Sequence, residues 1–201
     1  MKRTILFLLP ILLIVLVTGC AKKPAPEPVP YPMTEDYLLE HMQVTFKEDK
    51  QAVTVVPPSL LSHPRFLDGN ATLSTTFDAE ITLDSDQEIS RIIPPKYLLL
   101  FSMRAGAWGG FTSAIDTAGE HHDVTPYTSY IRKGIYYDNF YIVLSRPWLE
   151  KAENTETELL ILGSKGEISV TIPTVYPRAL LHYIDAGSFL PERNATTETS
   201  E

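Results

Sequence analysis

The chain contains little cysteine, little histidine and no long apolar run. Of its 201 residues one is cysteine and five are histidine, and 25 acidic residues face 17 Lys and Arg. This acidic excess argues against nucleic-acid binding, which depends on basic residues that neutralise phosphates. The most apolar stretch, residues 5–17, is interrupted by Pro10 and is shorter than the roughly 20 residues of a transmembrane helix. One cysteine cannot form an intramolecular disulfide, so the core has to hold the fold.

Recognisable catalytic motifs are also missing. The sequence has no G-x-S-x-G nucleophile turn, no H-E-x-x-H zinc motif and no G-x-x-x-x-G-K phosphate loop. We therefore expect no enzymatic activity and no cofactor.

The N-terminus has the order of an export signal, with Lys2 and Arg3 ahead of the apolar residues. Residues 17–20, Val-Thr-Gly-Cys, resemble the lipobox of bacterial lipoproteins. The resemblance implies that residues 1–19 are a signal peptide and that Cys20 becomes the first residue of the mature chain, carrying acyl chains such as palmitate. Two lipid signals already anchor a protein stably, so the acylated Cys20 would hold it on the membrane. Ala21, in place of an aspartate, implies the outer membrane under the enteric sorting rule, with the domain facing the periplasm.

Composition divides the rest of the chain into three parts. Residues 20–33 contain a proline at every second position from 24 to 32, which predicts an extended spacer between the lipid and the domain. Residues 34–190 are predicted to form a single β-rich domain. Residues 191–201, PERNATTETSE, lack anchoring apolar side chains and are predicted to be disordered.

Alternation with a period of two dominates the predicted domain. Residues 73–83 place apolar and polar side chains on opposite faces, as in an antiparallel sheet with one wet side. Residues 158–162 and 167–173 read as a hairpin, joined by a turn that begins at Gly163 and ends at Gly166. The apolar stretches 97–103 and 136–144 predict central strands covered on both faces.

Short helices are predicted after Thr34, after Ser145 and over residues 177–185. With two or three such peripheral helices, the sequence predicts an all-β fold, mainly an antiparallel β-sandwich that is Ig-like or similar. A partly open β-barrel is the alternative.

The stretch 120–123, Glu-His-His-Asp, combines the imidazole and carboxylate groups that bind zinc. On a strand, however, neighbouring residues point to opposite faces, so His121 and His122 cannot both face one ion. We therefore predict no metal site here. If one formed, His121, His122 and Asp123 would be its candidate ligands, and a metal-dependent envelope hydrolase is the corresponding alternative function.

Aromatic residues are concentrated in two places. Trp108 lies in the glycine-rich stretch AGAWGGF, and seven aromatic residues fall between positions 127 and 148. Such residues either stiffen a sheet or face a partner. Partner or ligand contacts are assigned to four of them: Trp108, Tyr136, Tyr137 and Tyr141.

These features predict a lipid-anchored envelope protein that acts by binding. It would serve as an accessory or scaffold subunit of an envelope assembly, with a second envelope protein as its partner. A small-ligand or glycan-binding lipoprotein is another alternative, and it would need a concave groove lined by tyrosines.

Overall fold

The computed structural model describes residues 33–47, 51–85 and 88–190. All of them belong to one compact unit that begins at Pro32. The predicted signal peptide, Cys20, most of the predicted linker and the predicted tail 191–201 lie outside the described residues. Within the described ranges no helix has the length and hydropathy needed to span a membrane.

The described residues form twelve strands and three helices. The strands are β1 Gln43–Phe46, β2 Ala52–Val56, β3 Leu60–Ser62, β4 Arg65–Phe66, β5 Gly69–Asn70, β6 Thr72–Thr82, β7 Lys96–Ala105, β8 Phe111–Asp116, β9 His121–Arg132, β10 Ile135–Leu144, β11 Thr157–Gly163 and β12 Gly166–Ile172. The helices are α1 Glu35–Glu40, α2 Arg146–Ala152 and α3 Val175–Asp185.

One large antiparallel sheet dominates the fold. Its strand order is β1-β2-β6-β7-β10-β9-β8-β11-β12, with β3 also paired to β6, and β4 and β5 form a separate pair. The sheet is strongly curled and forms a half-barrel. The predicted all-β, antiparallel class is therefore confirmed, and the curl agrees with the partly open barrel that was the alternative.

The two clearest sequence patterns produce the expected elements. Along β6, buried and half-buried residues alternate without interruption from Thr72 to Thr82. The strands β11 and β12 pair from Thr157↔Ile172 to Gly163↔Gly166, which is the predicted hairpin. In both cases burial of one face fixes the register, because a slip by one residue would expose the apolar side chains.

The central strands are β7 and β10, as predicted, but only one of their faces is covered. On the inner face Phe101 and Phe140 stack with ring centroids 5.0 Å apart. On the outer face Leu100 and Tyr141 are half-buried, and Val143 is 52% exposed. The prediction that both faces are covered is therefore wrong, because no layer of the described structure packs over this side.

The three helices lie together, with α3 in contact with both α1 and α2. Thr34 and Ser145 cap α1 and α2 by accepting hydrogen bonds from the backbone N–H groups of Tyr37 and Trp148. The third helix begins at Val175, two residues before the predicted start. Tyr176 of α3 stacks against Phe77 of β6 at 6.2 Å, so this helix packs directly on the sheet.

Candidate functional site

A long hairpin made of β9 and β10 carries most of the aromatic residues. Lys133 and Gly134 connect the two strands, and both have positive φ, 51° and 75°. Positive φ at both central residues defines a type I′ turn, whose twist matches that of the flanking strands. Glycine adopts positive φ without strain. Because the turn has only these two residues, it fixes the hairpin register at Arg132↔Ile135.

Most of β9 is an edge strand. The strand β8 pairs only with its first three residues, His121–Asp123, so among the described strands residues 124–132 have a neighbour on the β10 side alone. Residues 125–132 are all exposed. Pro126 lacks a backbone N–H, and such a residue is confined to edges and bulges of sheets.

The free part of β9 contains a bulge, and three exposed side chains make its surface apolar. The register shifts between Asn139 and Phe140, which leaves Tyr127 as the extra residue on β9. Tyr127 is 72% exposed, Tyr130 48% and Ile131 55%. Because the edge also presents backbone donors and acceptors, it can accept another strand.

The four predicted contact residues fall into two groups on opposite faces of the hairpin. Trp108 packs edge-to-face on Tyr136 with ring centroids 5.0 Å apart, and both are half-buried. Tyr137 lies on the other face, stacked on Tyr130 at 4.8 Å with ring planes 6° apart. Tyr141 shares that face, so the structure does not bring the four together.

The glycine-rich loop before β8 is held firmly. Asp138 is buried and accepts hydrogen bonds from the Gly109 N–H at 2.8 Å and from the Ser129 hydroxyl at 2.7 Å. A Cβ on Gly109 would lie 2.1 Å from the Phe111 ring. Close packing therefore explains Gly109, and the loop supports the hairpin from its inner face instead of moving freely.

The tip of the hairpin is basic, although the whole chain carries a net charge of −8. Arg132 and Lys133 lie at the turn, and Arg104 of β7 is in register with Tyr137. Among the described residues, none of these three cations forms an ion pair. The free edge thus ends in a positive group that favours an acidic partner.

A shallow groove lies on the outer face of β6, β7 and β10. Its volume is about 170 Å³, and Tyr127 and Tyr141 line it together with Ser74, Thr76 and Asn139. Sites for small molecules usually measure roughly 300–1,000 Å³. The groove is therefore small for a separate ligand site.

The residues named as possible metal ligands do not converge. His121 and Asp123 are exposed, whereas His122 between them is buried, as alternation along a strand requires. His122 instead faces Asp116, the last residue of β8, with Nε2 3.8 Å from Oδ2. Both side chains lie within the interior at the corner where β8 turns into β9.

Backbone groups hold Asp116 in place. Its Oδ1 accepts hydrogen bonds from the N–H groups of Ala118 and Glu120, each at 2.8 Å. Its Oδ2 accepts one from the Trp148 indole N–H at 3.0 Å. Burial raises the pKa of Asp116, but the hydrogen bonds from Glu120, Trp148 and Ala118 outweigh burial and lower the pKa below its usual 3.8. The carboxylate is therefore charged at neutral pH.

Sequence reasoning missed the free edge of β9 and the Asp116 corner. Apolar and polar side chains do not alternate along this edge, and it contains Pro126, so only its pairing with β10 identifies it as a strand. For the corner, a usable signal was present: Asp116 follows Ala114 and Ile115, and the turn Thr-Ala-Gly-Glu leads directly to His121 and His122.

Searches with protein-family models, against curated proteins and against solved structures found no match to this chain. Its function therefore has to be inferred from the geometry of these surfaces.

Proposed function

We propose that this chain is a lipid-anchored protein of the bacterial cell envelope that acts as a binding or scaffold subunit of an envelope assembly. In this proposal the acylated Cys20 attaches it to the outer membrane, the proline-rich spacer sets its reach, and the domain faces the periplasm. No catalytic step is assigned to it.

The observation that carries the binding function is the free edge of β9 over residues 124–132. In a hairpin closed by a two-residue turn the closing pair is hydrogen-bonded, so alternate residues direct their backbone groups outward. By this rule Ser129 and Ile131 present their N–H and C=O groups to the open side. An extended segment that pairs there gains main-chain hydrogen bonds, which is the β-strand addition mode of recognition.

The side chains around the edge define the partner. Exposed Tyr127, Tyr130 and Ile131 offer apolar contact area, and the two tyrosines add polar hydroxyl groups. Aromatic residues of this kind are enriched at protein interfaces. Arg104, Arg132 and Lys133 favour carboxylates. The proposed partner is therefore an envelope protein with an extended segment that combines apolar and acidic residues.

A glycan or small-ligand receptor is the second candidate, supported by the tyrosine-lined groove of about 170 Å³. Because the groove is small for a ligand site, a glycan or small-ligand receptor is less favoured than a protein-binding subunit. Crosslinking from the edge distinguishes the two, because a protein partner gives an adduct that contains a second protein, whereas a glycan ligand gives no adduct with a second protein.

In-cell photocrosslinking tests the proposal. A photoreactive phenylalanine analogue replaces Tyr127 on the edge, and the matched control carries it at Val143, an exposed apolar position on the outer face of β10. We expect one discrete protein adduct from position 127, none from 143, and loss of the adduct when Cys20→Ser removes the anchor. No adduct at position 127, or an adduct of only two copies of this chain, would contradict the proposed partner.

The anchor has its own test. Labelled palmitate should be incorporated into the wild-type chain and not into Cys20→Ser. A chain that stays unlabelled would overturn the membrane assignment without affecting the edge.

A further inference from the structure

The corner between β8 and β9 brings together three side chains with the chemistry of metal ligands. Asp116, Glu120 and His122 each offer one ligand atom, and these atoms all lie within 4.8 Å of one another. Two of the three residues are more than nine-tenths buried, Asp116 with 6% exposure and His122 with 8%. Glu120 is exposed and lies at the mouth of the cluster.

His122 gives a second and independent reason to consider a ligand. Its Nε2 is buried and has no hydrogen-bond partner among the described residues. It points towards Asp116, whose Oδ2 is 3.8 Å away, beyond hydrogen-bond distance. Leaving a buried polar atom without a partner is costly, so such an atom calls for an unseen partner.

The fold holds these groups in place before any ion arrives. The turn that contains Gly119, with φ of 79°, places Glu120 four residues after Asp116 and returns the chain into β9. The Asp116 backbone N–H donates to the Glu120 carbonyl at 3.1 Å, which closes this turn. Trp148 donates to Asp116 Oδ2 and lies edge-on to His122 at 6.0 Å. Hydrogen bonds of this kind orient metal ligands and strengthen them.

We propose that Asp116, Glu120 and His122 form a binding site for a divalent first-row transition ion, with Zn²⁺ as the expected occupant. Zinc bonds of about 2.0–2.2 Å place two tetrahedral ligands about 3.4 Å apart. The distance of 3.8 Å between His122 and Asp116 is close to this value. The exposed Glu120 side chain can rotate to complete the set.

The ligand set also selects the type of ion. An imidazole nitrogen suits zinc and related ions, whereas calcium and magnesium prefer oxygen ligands. Three protein ligands leave the fourth zinc position open to water on the Glu120 side. A bound ion would tie β8, the turn and β9 together at the corner that Trp148 of α2 covers.

Trp148 provides the reporter for a binding test. The chain contains two tryptophans, so Trp108→Phe leaves Trp148 as the single indole. The full chain with Trp108→Phe and Cys20→Ser, which also removes the only thiol, is purified in detergent, stripped with a chelator and titrated with Zn²⁺. We expect one Zn²⁺ per chain by metal analysis, a saturating change of Trp148 fluorescence and a rise in Tm.

Variants in the same background locate the site. Glu120→Gln changes an exposed side chain, so it keeps the fold and should weaken Zn²⁺ binding at least about tenfold. His121→Gln alters the exposed neighbouring imidazole and should leave binding unchanged. The proposal is overturned if the stripped chain takes up no Zn²⁺, if His121→Gln weakens binding as much as Glu120→Gln, or if Ca²⁺ displaces Zn²⁺ at equal concentration.

Discussion

Asp138 in the middle of β10 accepts the backbone N–H of Gly109 through Oδ2 and the hydroxyl of Ser129 through Oδ1. One buried carboxylate thus connects the glycine-rich loop to the free edge strand. The loop carries Trp108, and Ser129 lies at the middle of the exposed part of β9. Asp138 therefore connects the loop under the inner face of the hairpin to the free edge of β9.

Replacing Asp138 with asparagine should destabilise the domain. The two donors bond to different oxygens of the Asp138 carboxylate, and asparagine replaces one of these oxygens with an NH₂ group, so one of the two bonds loses its acceptor. We expect a loss of about 1–3 kcal/mol in the free energy of unfolding, measured in urea. The control is Asp123→Asn on the exposed start of β9, which should change stability by less than about 0.5 kcal/mol. Equal effects of the two variants would show that Asp138 has no special structural role.

Reversing charge at the hairpin tip should weaken capture of an acidic partner. Arg104→Glu and Arg132→Glu are each expected to lower the yield of the position-127 adduct by about two- to fivefold, the range for exposed ion pairs. The matched control is Arg91→Glu, an exposed cation that precedes the opposite end of β7. An unchanged yield in the two tip variants would exclude a role for these cations in partner binding.

Asp78 should make stability depend on pH. Burial raises the pKa of Asp78 above its ordinary value of 3.8, the nearby Glu80 raises it further, and Lys47 and Lys96 only partly offset this. Folding then favours the protonated form, so ionisation of Asp78 begins to oppose folding above pH 3.8 and opposes it fully above the folded-state pKa. Asp78→Asn should therefore raise the free energy of unfolding at pH 7.

This advantage of Asp78→Asn should shrink as the pH falls and vanish below 3.8, where the wild-type group is protonated in both states. Urea unfolding of both proteins between pH 3 and pH 7 measures the difference. An advantage that stays constant over this interval would contradict the pKa shift.

Sequence patterns predicted the elements that bury one face only and that carry the whole pattern within their own residues. The alternation in residues 73–83 and the Gly163–Gly166 turn each contain their own structural signal, and both elements are present. The sequence left a sandwich and a partly open barrel as alternatives, because the curl of a sheet depends on which strands pair and in what order. That order is a property of strands paired with one another, so the alternation within a single strand does not contain it.

The candidate sites were only partly predictable for the same reason. Tyr137 and Tyr130 are seven positions apart in sequence, and only the hairpin register stacks them. The imidazole at the Asp116 corner was recognised in the sequence, but its partners were sought among its neighbours His121 and Asp123. Strand alternation turns those two outward, whereas the turn brings Asp116 and Glu120 to His122.

The most direct test of the edge-binding account is the position-127 adduct measured in chains that carry Ile131→Pro. Proline removes the outward N–H of residue 131 and leaves the bonds between β9 and β10 intact, so the domain should keep its circular dichroism spectrum and Tm. Ile131→Thr is the matched control, because it keeps the N–H and shortens the side chain. The account predicts that the adduct is lost with proline and retained with threonine. An adduct of equal yield in both variants would show that the partner does not pair with the edge of β9.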